Sequence, residues 1–447
     1  MDPRTPRVAF QTFGCKANQY DTERMRQELE ARGARTVEEA DGADLWVVNT
    51  CTVTNQADAQ ARRFIRKLRR EHPGTRVVVA GCSAALRARE YREMEGVTGV
   101  VEGHDPVAVA RAGGMPAPPA LVQLGTRAPL DRMDHEPVGG ELLARRDGAT
   151  RGWLKIQDGC DRKCAFCATR LARGKSRSRP ACDVVEEARL LARTHPELVL
   201  TGIHIGHWGL DLEPRQTVSS LVRRLLQEVP GVRFRLGSIE ATEIDDRLLE
   251  LMATGEGRLV PHLHMPLQSG ADPVLRRMRR WHTREMYRVR ALEIGERLAA
   301  GGALAAGGRP VLGLGADILT GFPGETDEDH ARTVALVEEL PFTYLHVFPF
   351  SPRDGTAAAE LVEEMPVPQR VAGERSRELR EIVQAKGEAY RRARAGSRAR
   401  VVLEGKGRSA LTEDYLRVGV KGSLPEDHRV VQDAELVLVD GELVAAL

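Results

Sequence analysis

The chain has 447 residues, 42% of them hydrophobic and 29% charged, with a formal net charge of +2. It is long enough for two or three domains with real cores, and this composition excludes a disordered or low-complexity protein. Near-neutral charge gives no bulk argument for nucleic acid, "MDPRTPRVAF" lacks the apolar core of a signal peptide, and the Gly/Ala-rich stretch 298–316 is interrupted by Arg309 and Pro310, so no membrane span is expected. A cytoplasmic protein with reduced thiols follows, and seven cysteines, an odd number, fit poorly with a disulfide framework.

Apolar runs at 7–13, 45–50 and 76–81 predict buried parallel strands, each followed by a helix-period segment at about 20–32, 55–71 and 83–93. The three strands end at Cys15, Cys51 and Cys82. Parallel strands end along one sheet edge, so three thiols distant in sequence are expected on one rim. Residues 113–149, rich in Pro and Gly, predict a connection. A second alternation then begins. Strands are predicted at 153–158, 198–203, 232–239, 260–267, 311–319 and 343–350. Helices are predicted at about 183–194, 217–228, 244–253, 272–299 and 327–340. Six such units predict a partial barrel with its ligand sites at the strands' C-terminal ends. The loops there include "DGCDRKCAFC", "TGIHIG", "GSIEA", "MPLQSG" and "LTGFPGET". A charged helix over 366–396 and a β domain of about fifty residues complete the chain. In "GFPGET", Thr326 with Asp329 three residues on reads as a helix start.

Cys160, Cys164 and Cys167 have the spacing C-x3-C-x2-C. Three thiolates on a short loop can hold three irons of a [4Fe–4S] cube and leave the fourth open to a ligand. Zinc is the rival, and it would need a fourth ligand such as His204 or His207. Cys182 has no partner in either trio and reads as a small buried thiol at a helix start. From Arg151 to Pro180 there are nine Lys or Arg against two Asp, a local excess of seven. Such runs are often solvated helix faces, but they can also hold phosphates.

The C-x3-C-x-aromatic-C signature, with Phe166 as the aromatic, at the end of the first strand of a six-unit barrel resembles the radical S-adenosylmethionine (SAM) enzymes. "FGCKANQYDTE" (13–23), "VVNTCTVTNQAD" (47–58) and "VVVAGCSA" (77–84) resemble the N-terminal domain of the methylthiotransferases within that group. "SIEATEI", "HLHMPLQSGADPVLRRM", "DILTGFPGETDED" and "LHVFPFSPRDGTAAA" match the family's barrel. The resemblance implies an α/β fold in three parts: an N-terminal parallel-sheet domain (1–112), a partial (β/α)6 radical SAM barrel (150–385) after the 113–149 connection, and a small all-β TRAM-like RNA-binding domain (386–447). It implies two [4Fe–4S] clusters, one on Cys160, Cys164 and Cys167 and one on Cys15, Cys51 and Cys82. No catalytic residue is implied beyond these ligands. SAM is expected near Phe166, Thr201, Gly202, Glu240 and Gln268.

Within the family, "GCKANQYDTE" and "NTCTVTNQAD" look most like the branch acting on N6-threonylcarbamoyladenosine in tRNA. The implied reaction uses one SAM to methylate a cluster-held sulfur and a second to give a 5′-deoxyadenosyl radical that activates C2 of the adenine. The alternatives are the isopentenyladenosine branch, the ribosomal-protein branch, and a noncatalytic tRNA-binding protein. The implied partners are the tRNA anticodon stem-loop and an electron donor such as flavodoxin or ferredoxin, with no membrane and a monomeric state. Arg170, Arg173, Lys175, Arg177 and Arg179 are expected to meet RNA phosphates. The sequence departs from the family after Cys167, where "ATRLARG" puts Arg170 in a stretch that many relatives keep apolar, and at "HWG" (207–209).

Overall fold

The structure, a computed structural model, describes residues 5–37, 42–116, 142–146, 148–254, 257–302, 304–425 and 430–447. Most of the expected connection at 113–149 lies outside the described residues. The chain forms two compact units: Met1–Leu143 with Gln157–Arg162 and Cys167–Arg177, and the remainder, Ala144–Ile156, Lys163–Phe166 and Ser178–Leu447.

The first unit carries β1 (Arg7–Thr12), α1 (Lys16–Ala31), β2 (Arg35–Thr36), β3 (Leu45–Thr50), α2 (Asn55–Glu71), β4 (Arg76–Gly81), α3 (Cys82–Leu86), α4 (Ala88–Arg92), β5 (Val97–Val100) and α5 (Pro106–Ala112). Its five strands are all parallel, in the order β2-β1-β3-β4-β5. A parallel sheet must be covered on both faces, which is why "LWVVNT" is buried at every position. Val8, Leu45, Val47 and Val78 pack with Met25, Leu29 and Val109 on one face. Ala9, Trp46, Val48, Val77 and Val79 pack with Ile65 and Leu68 on the other. The single helix expected over 83–93 is two pieces, because Arg87 leaves helical geometry (φ −129°, ψ 33°). Sequence reading passed over β5 and α5, whose runs are short.

After β6 (Arg151–Lys155), the cysteine loop holds β7 (Gln157–Asp158), α6 (Thr169–Arg173) and β8 (Arg177–Ser178). The second unit continues with α7 (Ala181–Leu191), β9 (Glu197–Thr201), α8 (Val218–Glu228), β10 (Arg233–Leu236), α9 (Asp246–Thr254), β11 (His262–His264), α10 (Asp272–Arg277) and α11 (Arg284–Gly301). A hairpin of β12 (Leu304–Ala305) and β13 (Arg309–Pro310), then β14 (Gly313–Thr320), α12 (Asp327–Glu339), β15 (Tyr344–Pro349), α13 (Ala357–Glu364) and α14 (Gln369–Arg394) complete it as far as the last domain. Strands β6, β9 and β10 form one parallel group and β11, β14 and β15 another. Parallel bridges Phe234–Leu259 and Ser238–His264 connect them, giving the expected six-stranded partial barrel. Thr326 caps α12 through a reciprocal capping box with Asp329. The helix expected over 272–299 is broken instead. Arg279 takes a left-handed φ of 56°, and Thr283 caps a new helix by accepting from Met286 N.

The last strands, β16 (Arg398–Glu404), β17 (Ser409–Thr412), β18 (Arg417–Lys421), β19 (Gln432–Val439) and β20 (Glu442–Ala446), close a small barrel in the order β16-β17-β18-β20-β19. It is seated against the N-terminal ends of the large barrel's strands. Glu197, fully buried, accepts from Arg233 Nε (2.6 Å) and Arg235 Nε (2.9 Å), with Arg151 Nη1 3.6 Å away. The same arginines reach across to the small barrel. Arg233 donates to Arg400 O and Leu411 O, Arg235 to Thr412 O and Glu413 O, and Arg151 to Glu404. Among the described residues no helix is long and apolar enough to cross a membrane.

Candidate active site

In the first unit the sheet delivers its three cysteines as expected. Cys15 follows β1, Cys51 follows β3 and Cys82 opens α3 after β4, on three adjacent parallel strands. Gly14 has φ 105°, and a β-carbon there would lie 2.5 Å from Cys51 Sγ, so the turn before Cys15 closes onto Cys51 only with glycine. Asn18 ties the rim together, donating through Nδ2 to Phe13 O (2.9 Å) and Thr50 O (2.8 Å). Val53 N donates to Cys51 Sγ at 3.3 Å. Burial pushes the Cys82 thiol up to about 12, against the opposing pull of Arg173.

Arg173, in the segment after Cys167, is 1% exposed. Its Nε lies 3.2 Å from Cys82 Sγ, its Nη1 pairs with Asp158, and its Nη2 reaches Asn18 Oδ1 (2.6 Å) and Asp21 (2.7 Å). Cys160 N donates to Gly174 O at 3.1 Å. The preceding Gly159 (φ 69°) cannot carry a β-carbon, which would fall 1.8 Å from Lys175 O. This geometry corrects part of the RNA reading. Arg173 is committed to thiol and carboxylates, and Arg179, fully buried, is held bidentate by Glu187 and by Lys155 O. Neither side chain is placed to meet a phosphate. Lys175 is exposed, and Arg170 and Arg177 are half-buried.

In the second unit Cys164 sits beside Arg280, whose Nη1 is 3.6 Å from its sulfur. Arg280 also pairs with Glu240 and donates to Pro266 O (3.3 Å). Burial raises the Glu240 carboxyl despite that arginine. Ala165 N donates to Met278 O, and Phe166 packs beside Ala165, Val274, Met278 and Phe322, so the aromatic fixes the loop against α10. Thr201 closes β9, its carbonyl accepting from Ile156 N, and Gly202 follows it half-buried. Gln268 takes φ 68° and is clamped to β14 by Gln268 N to Asp317 O (2.8 Å) and Leu319 N to Gln268 O (2.9 Å).

His204 and His207 converge on a carboxylate. Both bond Glu243 Oε1, at 2.7 and 3.2 Å, with their rings stacked. Burial pushes the Glu243 carboxyl up, but the two imidazole hydrogen bonds outweigh it and hold it at about 2. In the same "HWG" departure Trp208 is fully buried and donates Nε1 to Arg179 O. Cys182 corrects another expectation. It lies in the first turn of α7 as predicted, but it is exposed.

A family model described as "Uncharacterized protein family UPF0004" matches residues 7–103, and one described as "Radical SAM superfamily" matches residues 154–337. The chain is 36% identical over 372 residues to a Rickettsia prowazekii protein named threonylcarbamoyladenosine tRNA methylthiotransferase MtaB, covering 83% of this chain and 81% of that one. The chain belongs to the radical SAM methylthiotransferase family. A Bacillus subtilis protein of the same name is 35% identical, over 83% of this chain and 79% of its own. An Erythrobacter litoralis tRNA-2-methylthio-N(6)-dimethylallyladenosine synthase is 32% identical, over 91% and 88%. Among solved structures, the radical SAM methyltransferase TsrM from Kitasatospora setae shares the fold at TM-score 0.54 and 16% identity, over 80% of this chain and 78% of that one.

Membership implies a [4Fe–4S] cluster and SAM in this methylthiotransferase. The donor set fits: a buried guanidinium lies against Cys164 Sγ, where it offsets the charge of a thiolate ligand. Sequence reading missed Arg280, Glu243 and the buried role of Arg173, because each works through partners far away in the chain.

Proposed function

We propose that this chain is the tRNA methylthiotransferase that acts at C2 of N6-threonylcarbamoyladenosine beside the anticodon, giving 2-methylthio-N6-threonylcarbamoyladenosine. The observation that carries this reading is Arg173. From the segment that follows Cys167 it reaches Cys82 Sγ, so that Cys82, Cys160, Cys167 and the arginine lie in one compact unit. The names of the two 35–36% identical relatives support the threonylcarbamoyl substrate.

Cys160, Cys164 and Cys167 hold one [4Fe–4S] cluster, and Cys15, Cys51 and Cys82 hold a second. When bound, these clusters supply the electron that cleaves SAM and the site that carries the sulfur. Arg280 and Arg173 balance the thiolate charge of the two sets. Glu240, Thr201, Gly202 and Gln268 line the strand ends where SAM sits, with Phe166 packing the loop. Lys175, Arg170 and Arg177 hold anticodon-stem phosphates, and the small barrel is a TRAM-like RNA grip. The protein works in the cytoplasm as a monomer, with flavodoxin or ferredoxin as electron donor.

Nucleoside analysis of tRNA from a strain lacking the gene tests this. The methylthiolated nucleoside should vanish and its threonylcarbamoyl precursor accumulate. An unchanged level removes the proposal. Roughly eight irons per chain are expected after anaerobic reconstitution; a chain without iron favours the noncatalytic binder.

A further inference from the structure

Strands β11, β14 and β15 carry a polar chain that the reaction above does not use. Thr320 on β14 donates to Ala372 O on α14, so its side of the strand faces the helices, and Leu314, Ala316 and Ile318 share that fully buried side. Asp317 therefore lies on the inner face. Its register partner is His346 on β15, and the next inner position on that strand is Phe348. Asp317 Oδ1 accepts from His264 Nε2 (3.1 Å) and His346 Nδ1 (3.3 Å). His264 Nδ1 is 3.1 Å from Tyr344 Oη, which is 2.8 Å from His262 Nε2. The chain thus runs from a histidine 2% exposed to an imidazole whose side chain is 55% exposed. Beside it Phe348 is 38% exposed, its ring centroid 6.3 Å from that of His346.

This end belongs to the site. His264 is two residues before Pro266, whose carbonyl takes the Arg280 guanidinium that touches Cys164. Asp317 O holds Gln268 N. An imidazole whose Nδ1–H is taken by a carboxylate leaves Nε2 on the far side of the ring, as a second N–H when the ring is charged. A carboxylate arriving there completes a carboxylate–imidazolium–carboxylate sandwich, and an exposed phenyl ring alongside offers a face for a purine.

We propose that His346, oriented by Asp317, is the residue that binds the carboxylate on the N6 side chain of the substrate adenine, with Phe348 stacking against the base. This rests on the threonylcarbamoyl reading above and names the residue that would distinguish that base from one with a neutral N6 substituent. His346 is a specificity-determining residue, and Asp317 positions it.

The test is binding of synthetic anticodon stem-loops to reconstituted holoenzyme, one carrying threonylcarbamoyladenosine and one carrying plain adenosine. The wild-type protein is expected to prefer the modified loop by roughly 10–100-fold, the range of a hydrogen bond to a charged group. In His346→Gln that preference should fall toward unity, with affinity for the plain loop and iron content unchanged. Phe348→Leu should weaken binding of both loops and keep their ratio. Full preference retained in His346→Gln overturns the inference and leaves the substrate reading standing. No preference in the wild-type protein overturns both. One zinc per chain, lost in His346→Gln, would give His264, Asp317 and His346 to a cation and overturn the carboxylate subsite.

Discussion

The two ends of the large barrel both bury charge, and they do so differently. At the N-terminal ends of the strands, Glu197 sits among Arg151, Arg233 and Arg235, and the guanidinium groups left over are spent on carbonyls of the small barrel. Glu197 and Arg235 are fully buried and Arg233 nearly so. At the C-terminal ends the groups are arginine against thiol and glutamate, and imidazoles on a shared carboxylate oxygen. That end stays partly open, with His346 reaching solvent. A charge network closed on itself fixes one docking geometry, whereas an open one keeps atoms available for a ligand.

Removing a sulfur at the open end should end the chemistry and spare the fold. Cys164→Ala is expected to abolish reductive cleavage of SAM, read as 5′-deoxyadenosine production, while thermal unfolding barely moves. A variant that still cleaves SAM would erase the distinction between the two ends.

The closed end should behave in the opposite way. Glu197→Gln strands buried guanidinium groups without their counter-charge, at a cost of about 3–5 kcal/mol in unfolding free energy. Denaturant titration measures it, and a loss below 1 kcal/mol would mean that the network does not hold the small barrel. Arg280→Gln should act on the cluster instead. Taking a cation from beside Cys164 disfavours the more negative reduced state, so the cluster potential should fall in a redox titration followed by electron paramagnetic resonance. An unchanged potential would reduce Arg280 to a partner of Glu240.

The smallest effect is expected at Glu243. Its carboxyl is held at about 2 against an ordinary 4.5, so the stability it contributes is present above about pH 4.5 and is lost as pH falls toward 2. His207→Ala removes one of the two bonds that hold it down. The loss should still begin near pH 4.5 but be smaller and complete at a higher pH, with a cost near neutrality of about 1 kcal/mol. Stability measured between pH 7 and 2 checks this, and superimposable curves for the two proteins would contradict it.

Much of this was legible in the sequence, for physical reasons. Parallel strands buried on both faces write themselves as apolar runs, and those runs stop at Cys15, Cys51 and Cys82. The C-x3-C-x2-C spacing is local. What stayed hidden depends on partners. Arg173 and Arg179 look like any members of a basic run until Asp21, Asp158 and Glu187 arrive from elsewhere in the chain. The break after α10 was invisible because "RRMRRWHT" keeps a helical period while Arg279 turns left-handed. His264, Asp317 and His346 are single polar residues on three strands, and only the register brings them together.

The central claim is that a barrel open at its sulfur-bearing end transfers a methylthio group to threonylcarbamoyladenosine. Anaerobically reconstituted protein, given SAM, a reductant and threonylcarbamoylated tRNA, tests it most directly by mass spectrometry of the digested nucleosides. The account predicts conversion to the 2-methylthio nucleoside, with Cys51→Ala still cleaving SAM but forming none of it. Methylthiolation of isopentenyladenosine tRNA or of a ribosomal protein, with threonylcarbamoyladenosine left untouched, would contradict it.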